Sequence, residues 1–332
     1  MSGRRRRRGG GPPPDRPVLG PAPGGTEADP PVASEPAPRP FGGLFRGALP
    51  SPLPSIPGSL ARGFVAASHP AICVPALLLV PLLWFGLVAA GLQGPPARMV
   101  AFLAIPPIST GFDFAIATDL LGTRAGLLAA LASIPLRGLV VALFTGLLVE
   151  ALERGGAGRA GLRRGLRAWP VASFTTVLGL GILMVGNVVF GFLGAGLNLL
   201  ASILAPVAAL FFFAYAPAAA VRQRWGLVET VRRSARAALI PGSRHLLLSM
   251  LYVVLSLPFM ILLAPQGGTI TVNPSFAAWA YALVAAFVHL GFAGAFAYRW
   301  LAAEPLVPEE PVRRSRGPGG GGRGPGPTRS RW

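Results

Sequence analysis

Long apolar runs separated by loops rich in arginine limit what this chain can fold into. Of its 332 residues, 52% are hydrophobic and only 13% are charged, and the mean hydropathy is +0.57. This composition is too apolar for an ordinary soluble domain, and runs of about 20 apolar residues are long enough to cross a bilayer as helices. We therefore expect an all-α, polytopic integral membrane protein.

The segment from Trp225 to His245 lies between two apolar runs and determines how they are oriented. On a helix, its apolar and basic side chains fall on opposite faces, which is typical of a helix lying in a membrane surface. One face carries Leu227, Val231, Ala235 and Ala238, and the other carries Glu229, Arg232, Arg233 and Arg236. Because arginine enters lipid only at a high free-energy cost, we expect this segment to stay on one side of the bilayer.

The other apolar runs must cross the bilayer in directions that keep the segment from Trp225 to His245 on its side. We expect six transmembrane helices, with both termini in the cytoplasm, at residues 70–92, 126–152, 171–194, 197–221, 246–264 and 276–301. A short amphipathic lead-in at residues 57–68 precedes the first span. All but three of the 30 arginines then fall on the cytoplasmic side, as the positive-inside rule requires, and the exceptions are Arg98, Arg124 and Arg137. Since arginine is used and lysine never is, we expect a GC-rich bacterial genome and a bacterial cytoplasmic membrane.

Residues 100–121 are apolar on average but irregular. They contain Pro106, Pro107, Gly111, Asp113 and Asp119, which make a full lipid-exposed helix doubtful. We expect a broken or re-entrant segment on the outer side. A seventh span here would place the later arginine-rich loops opposite the N-terminal arginines, so the positive-inside rule disfavours it.

The two ends of the chain are rich in Pro, Gly and Arg. We expect residues 1–56 and 305–332 to be disordered, because they cannot bury enough apolar surface to offset their chain entropy, and residues 57–304 to form the transmembrane domain. The first tail opens with five arginines, Arg4 to Arg8, which orient the protein or, alternatively, touch anionic lipid. The formal charge of +18 would suggest nucleic acid in a soluble protein, but we expect the lipid bilayer as partner and no nucleic acid.

Two arginine-rich strings align without gaps. Gly161 to Trp169 reads GLRRGLRAW, Thr230 to Ala238 reads TVRRSARAA, and Ser59 to Ser68 is a weaker third copy. If these matches are real, one surface helix followed by a two-span hairpin is repeated three times. Chance is the alternative, because Arg, Leu, Ala and Gly are common in this chain. We expect the following arginines to anchor the protein at the membrane surface: Arg163, Arg164, Arg167, Arg232, Arg233 and Arg236.

Two ionisable side chains, Arg137 and His289, lie near the middle of predicted spans. Such residues are candidates for function, because placing a charge at mid-bilayer costs at least about 2.5 kcal/mol. Asp113 and Asp119 are the natural acidic partners of Arg137. One interpretation is a polar cavity, open to the outside, that binds a small solute or a lipid headgroup. The other is an internal ion pair together with a neutral, hydrogen-bonded histidine.

Catalytic and metal-binding signatures are missing from the sequence or unconvincing. It contains no H-E-x-x-H, G-x-S-x-G or Walker A string, and its three histidines have no metal-ligand spacing. Glu309, Glu310 and Arg313 spell E-E-x-x-R, but Pro311 interrupts this string, which lies in a polar tail. We therefore expect no catalytic residue, no metal and no cofactor.

The residues Tyr215-Ala216-Pro217, followed by GLVETVRRS at 226–234, resemble a pattern of bacterial polytopic proteins. That group includes the membrane domain attached to some glycerophosphoryl diester phosphodiesterases and several uncharacterised families. The resemblance covers about residues 130–300 and implies a six-span helical module without an enzymatic role. We expect a non-catalytic structural or interaction module, and the alternative is a small permease or lipid-handling protein that uses Arg137 and His289.

Overall fold

In the computed structural model, the described residues are 53–89, 96–105, 124–192, 194–223, 225–261 and 276–307. Within these ranges the chain is largely helical and contains no β-strand, which confirms the all-α prediction for this part of the protein. The α-helices are α1 (Ile56–Ala67), α2 (Pro70–Ala89), α3 (Arg124–Arg154), α4 (Arg159–Gly191), α5 (Ala195–Phe213), α6 (Ala216–Arg222), α7 (Leu227–Ala238), α8 (His245–Ile261) and α9 (Phe276–Ala303). Two 3₁₀ helices, Pro96–Phe102 and Glu304–Leu306, lie between α2 and α3 and after α9.

Four helical stretches among the described residues are long and apolar enough to cross a membrane. They are Leu131–Arg154, Arg159–Gly186, Ile203–Arg222 and Phe276–Leu306, and they correspond to the predicted second, third, fourth and sixth spans. Helix α1 and residues 70–86 of α2 meet the same criteria only as a pair bent by 77°, and His245–Ser256 of α8 is apolar but shorter. The chain therefore has the helices of a membrane-embedded protein, and the count of six spans stays a prediction.

Helices α3 and α4 form a close hairpin because glycines stand where their backbones meet. A Cβ atom on Gly146 would overlap the carbonyl oxygen of Gly161, and one on Gly165 would lie 2.6 Å from the carbonyl oxygen of Ala142. Further along the pair, a Cβ atom on Gly138 would overlap Ser173. Small residues spaced four apart allow helix backbones to approach this closely in lipid, so Gly161 and Gly165 form the packing face of α4.

Helix α1 packs against the middle of α9, again through small residues. A Cβ atom on Gly63 would overlap the backbone of Gly291 and Ala295, and one on Gly294 would lie 2.7 Å from the Gly63 carbonyl oxygen. The Phe64 ring fills the space beside Gly291. The lead-in was predicted only as a short amphipathic helix before the first span, and it packs beside the last span, because glycines on both helices permit a close contact.

The two aligned arginine-rich strings occupy different kinds of helix. The string at 161–169 is the first part of α4, which continues through Pro170 for 33 residues in total. The string at 230–238 belongs to α7, a helix of 12 residues that a turn separates from α8. A separate helix therefore precedes the next apolar helix only in the second case, and the threefold repeat stays a prediction.

The first part of the irregular segment enters the helix bundle. Met99, Val100 and Leu103 are buried in a cluster with apolar side chains from α2, α3 and α9, and Ile105 is also buried. Residues 106–123, which include Asp113 and Asp119, lie outside the described residues. The re-entrant segment on the outer side therefore stays a prediction.

Aromatic side chains fill the core around the C-terminal half of α9. Tyr215, Tyr252, Phe292, Phe296 and Trp300 are buried in one apolar cluster. The ring centroids of Tyr252 and Phe292 are 4.8 Å apart, and those of Tyr215 and Trp300 are 6.1 Å apart. These rings join the α5–α6 junction and α8 to α9, and they surround the buried polar groups described below.

Candidate functional site

An ionic network joins four helices at one end of the bundle. The Glu153 carboxylate near the end of α3 lies 2.8 Å from the Arg164 guanidinium on α4 and 2.7 Å from that of Arg222 at the end of α6. Arg222 also lies 3.1 Å from Glu304, directly after α9, and the Gln223 amide donates to Glu304 at 2.5 Å. We name this region, with α7 and the loops beside it, the basic end. The predicted threading likewise places these arginine-rich ends on one side.

A buried carboxylate holds the turn between α3 and α4. Glu150 accepts hydrogen bonds from the backbone amides of Gly158 at 2.9 Å and Gly161 at 2.6 Å, and Arg154 lies 3.7 Å away. The amides at the start of a helix carry partial positive charge, so a carboxylate is favourable there. Gly155, directly after α3, has a φ of 72°, a left-handed conformation that favours glycine. Glu150 thus caps α4 and fixes the hairpin.

Every carboxylate among the described residues is engaged inside the fold. Glu150, Glu153 and Glu304 take part in the contacts given above, and Glu229 on α7 lies 2.6 Å from Arg233. The described ranges contain no aspartate and no further glutamate. Within this part of the chain, arginines outnumber carboxylates at the basic end, so positive charge is in excess there.

A stripe of arginine and apolar side chains faces outward from the first third of α4. Its members recur three or four residues apart, as side chains on one helix face do, and all are exposed: Arg159, Leu162, Arg163, Leu166, Arg167 and Trp169. The Trp169 indole N–H donates to the Pro135 carbonyl oxygen at 2.7 Å, which fixes the ring against α3. Arginine that alternates with leucine and tryptophan is typical of the boundary between lipid headgroups and acyl chains. We name this face the α4 stripe.

The predicted anchoring arginines of α7 take three different positions. Arg232 is exposed and Arg236 is half-buried. Arg233 points inward with 9% of its surface exposed, and its guanidinium lies 4.0 Å from the Trp225 ring centroid and pairs with Glu229 one turn earlier. The ring and the carboxylate together stabilise a charge that α7 partly removes from water. Among the six predicted anchors, the exposed ones are Arg163, Arg167 and Arg232.

The structure brings the predicted intramembrane residues Arg137 and His289 into one buried cluster. Arg137 is 4% exposed and His289 is 5% exposed. His289 Nδ1 lies 2.5 Å from the hydroxyl of the fully buried Tyr252, and the Arg137 guanidinium is near enough to act electrostatically on both side chains. The backbone amide of Ile105 lies against the same hydroxyl, so the irregular segment reaches this cluster. His289 is thus buried and hydrogen-bonded, and the choice between a polar cavity and an internal ion pair stays open.

The acidic partners predicted for Arg137 lie outside the described residues, whereas Tyr252 joins the cluster unexpectedly. Asp113 and Asp119 lie outside the described residues, so their pairing with Arg137 stays a prediction. Tyr252 was missed by the sequence reasoning. The signal that could have found it was a tyrosine inside an apolar run, since a buried tyrosine hydroxyl usually finds a hydrogen-bond partner. No three His, Cys, Asp or Glu side chains of the described ranges are placed to hold a metal ion.

Comparisons with protein-family models, with curated proteins and with solved structures find no match to this chain. The resemblance of residues 215–217 and 226–234 to the phosphodiesterase membrane-domain group is therefore neither supported nor opposed by a relative. The role of the protein has to be inferred from its own residues.

Proposed function

We propose that this chain is a non-catalytic, six-span module of a bacterial cytoplasmic membrane whose basic end binds anionic lipid on the cytoplasmic side. The observation that carries the proposal is the charge balance of that end. Every described carboxylate is engaged inside the fold, whereas Arg159, Arg163 and Arg167 of the α4 stripe are exposed. Lipid phosphates are the anions available in the layer where such side chains would lie.

The α4 stripe supports this proposal by its chemistry. Leu162 and Leu166 can extend toward acyl chains while Arg163 and Arg167 extend their guanidinium groups toward phosphates, as long amphipathic side chains do at an interface. Each arginine near an anionic surface contributes about 1 kcal/mol. Two of them would therefore change an association constant by roughly 30-fold at low salt.

The six-span threading is part of the proposal. It counts α2, without the lead-in helix α1, as one span and α8 as another, beside the four longer apolar stretches. Because consecutive spans alternate in direction, the meeting of the ends of α3, α6 and α9 with the start of α4 supports this order. The resemblance to the phosphodiesterase membrane-domain group implies the same architecture, and we retain it as a proposal.

The preference of the protein for anionic over zwitterionic lipid tests this proposed function. We would reconstitute it in vesicles and compare the association of spin-labelled phosphatidylglycerol and phosphatidylcholine by electron spin resonance. We expect a preference for phosphatidylglycerol that weakens as salt is raised and that falls at least about fivefold in Arg163→Gln/Arg167→Gln.

The control for this experiment carries the same charge change elsewhere in the chain. Arg4→Gln/Arg5→Gln removes two positive charges from the N-terminal run and should keep most of the preference. Equal selectivity in the two double variants would show that the α4 stripe does not bind the lipid.

A small permease or lipid-handling protein with a polar site at Arg137 and His289 is the second candidate. The hydrogen bond between Tyr252 and His289 beside Arg137 favours it, because intramembrane polar clusters often lie on transport paths. The near-complete burial of all three side chains favours the module, because a transport path needs water at the site.

Thiol chemistry separates these two functions. With the single cysteine Cys73 replaced by alanine, His289→Cys should stay unreactive toward a small water-soluble thiol reagent if the protein is a closed module. Ala160→Cys, at an exposed position of α4, is the matched control and should react within minutes. Rapid labelling at position 289 would instead favour the permease.

A further inference from the structure

Arg299, near the C-terminal end of α9, is a second buried charge. It has no acidic partner among the described residues. Its side chain is fully buried, and its guanidinium donates to the carbonyl oxygen of Pro54 at 2.5 Å, to the Ser59 hydroxyl at 3.4 Å and to the carbonyl oxygen of Ser243. All three acceptors are neutral. The four carboxylates of the described ranges are engaged elsewhere. A guanidinium buried among neutral acceptors is costly, because removal from water is repaid only by a compensating charge.

Further polar atoms of Arg299 and of the side chains around Tyr215 have no hydrogen-bond partner within the described residues. They are Nε of Arg299 itself, Nε1 of Trp300 and Nδ1 of His245, and the Trp300 and His245 rings both pack on Tyr215. The Tyr215 hydroxyl lies beside the guanidinium. Buried donors in folded proteins are nearly always satisfied by protein, by water or by an ion. This region therefore has hydrogen-bonding capacity that the described side chains do not use.

Aromatic rings enclose the same region and limit the size of any ligand. The ring centroid of His245 lies 4.2 Å from that of Tyr215 and 5.6 Å from that of Phe296, and Trp300 packs beside Tyr215. Each of Tyr215, Trp300 and Arg299 is buried from solvent. Any ligand of this buried region must therefore be far smaller than a lipid headgroup or a nucleotide.

The loop that supplies the Ser243 carbonyl is held in a strained conformation. Arg244 has a φ of 52°, and it is the one residue other than glycine with a positive φ in the described part of the chain. The Ser243 hydroxyl donates to the Ala238 carbonyl oxygen at 3.3 Å, and the backbone amide of His245 donates to that hydroxyl at 3.4 Å. Strain of this kind persists only where the surrounding structure enforces it, and it is concentrated at functional sites.

We propose that Arg299 and its neighbours bind one small inorganic anion of halide size, for which chloride is the natural candidate. The guanidinium supplies the compensating charge, and Arg299 Nε, Trp300 Nε1 and the Tyr215 hydroxyl supply the donors. A bound anion would stabilise the contacts that Arg299 makes with the N-terminal segment and with the α7–α8 loop. This site involves none of the residues of the α4 stripe, so it stands independently of the lipid proposal.

Thermal unfolding in an uncharged detergent tests the anion site. At constant ionic strength, gluconate is replaced by chloride and, in a second series, by bromide. We expect the Tm of the unmodified protein to rise by about 3–6 °C for each tenfold increase in chloride above its Kd, and bromide to act similarly. Arg299→Gln should abolish the rise, and Trp300→Phe, which keeps the charge and an aromatic ring, should shift it to at least about tenfold higher chloride.

Arg163→Gln is the matched control, because it removes one exposed arginine that lies outside the site. It should respond to chloride as the unmodified protein does. If Arg299→Gln does not fold, Trp300→Phe and Tyr215→Phe still decide the matter. The proposal is overturned if the Tm of the unmodified protein is the same in gluconate and chloride, or if Trp300→Phe and Arg163→Gln respond to chloride equally.

Discussion

The arginine-rich strings at residues 161–169 and 230–238 are similar in sequence, yet they end in different ways. The first continues through Pro170 into a helix of 33 residues, and the second stops at Ala238 after a helix of only 12 residues. The residues that come after each string explain the difference. Beyond the second string, Gly242 and Arg244 adopt positive φ values of 73° and 52°, which no α-helix accommodates.

Within the strings, three consecutive positions have matching environments. The first arginine of each, Arg163 or Arg232, is exposed. The second is turned inward to a glutamate, since Arg164 lies 2.8 Å from Glu153 and Arg233 lies 2.6 Å from Glu229. The next residues, Gly165 and Ser234, face the backbone of a neighbouring helix, where the Ser234 hydroxyl donates to the Phe212 carbonyl oxygen at 2.7 Å. A short string therefore encodes which face is buried, and the residues after it encode whether the helix continues.

The largest expected effect concerns the glycine contacts that only the first string has. Gly146→Leu should prevent folding or cost more than about 3 kcal/mol, because the new side chain meets the backbone of α4, which cannot move aside as a side chain can. Gly181→Leu, on the same hairpin, meets no neighbouring atom within 4 Å and should change the Tm little. Thermal unfolding in detergent compares the two, and equal losses would show that the α3–α4 contact is not close.

The glutamates beside the two strings should differ in importance. Glu150→Ala removes the cap of α4 and should cost about 1–2 kcal/mol, because two backbone amides lose their acceptor. Glu229→Ala takes the carboxylate from Arg233, but the Trp225 ring still covers that guanidinium and Glu229 itself is half-buried, so the loss should stay below about 1 kcal/mol. Denaturant unfolding, monitored by tryptophan fluorescence, measures both, and a larger loss at Glu229 would reverse the ranking.

The turn after the second string gives the smallest of the three effects. Gly242→Ala should cost about 1 kcal/mol, since a Cβ atom is unfavourable at a φ of 73°. Gly156→Ala, in the turn after α3, has neither a positive φ nor a neighbouring atom within 4 Å, and it should be neutral. Calorimetry of the two variants measures the difference. Equal stability of the two variants would mean that the positive φ of Gly242 is not what separates α7 from α8.

The sequence predicted features that depend on the composition of a single helix. It did not predict features that depend on contacts between helices. Arginine placement predicted that the arginine-rich helix ends lie on one side of the membrane. The network around Glu153 and Arg222 brings several of these ends together, and their side of the membrane stays a prediction. The contact of α1 with α9 was not predicted, because Gly63 and Gly291 reveal it only when both helices are known. Tyr252 was missed for the same reason, since its partner His289 lies 37 residues away on another helix.

The inward orientation of Arg164 and Arg233 was also beyond the sequence. Helical periodicity placed Arg233 with Arg232 on a single polar face, although adjacent residues on a helix point about 100° apart. In each string, the arginine that turns inward is the one that meets a carboxylate: Arg164 meets Glu153, and Arg233 meets Glu229. The exposed α4 stripe can therefore be recognised only when the inward-facing arginines are known.

The side of the membrane on which the basic end lies is the central claim, and cysteine labelling tests it directly. With Cys73 replaced by alanine, single cysteines at Gly158 and at Gln266 would be exposed to an impermeant thiol reagent in intact cells. We predict that the cysteine at position 266 is labelled and that the one at position 158 is labelled only after the cells are opened. Labelling of position 158 from outside, with protection of position 266, would contradict the account.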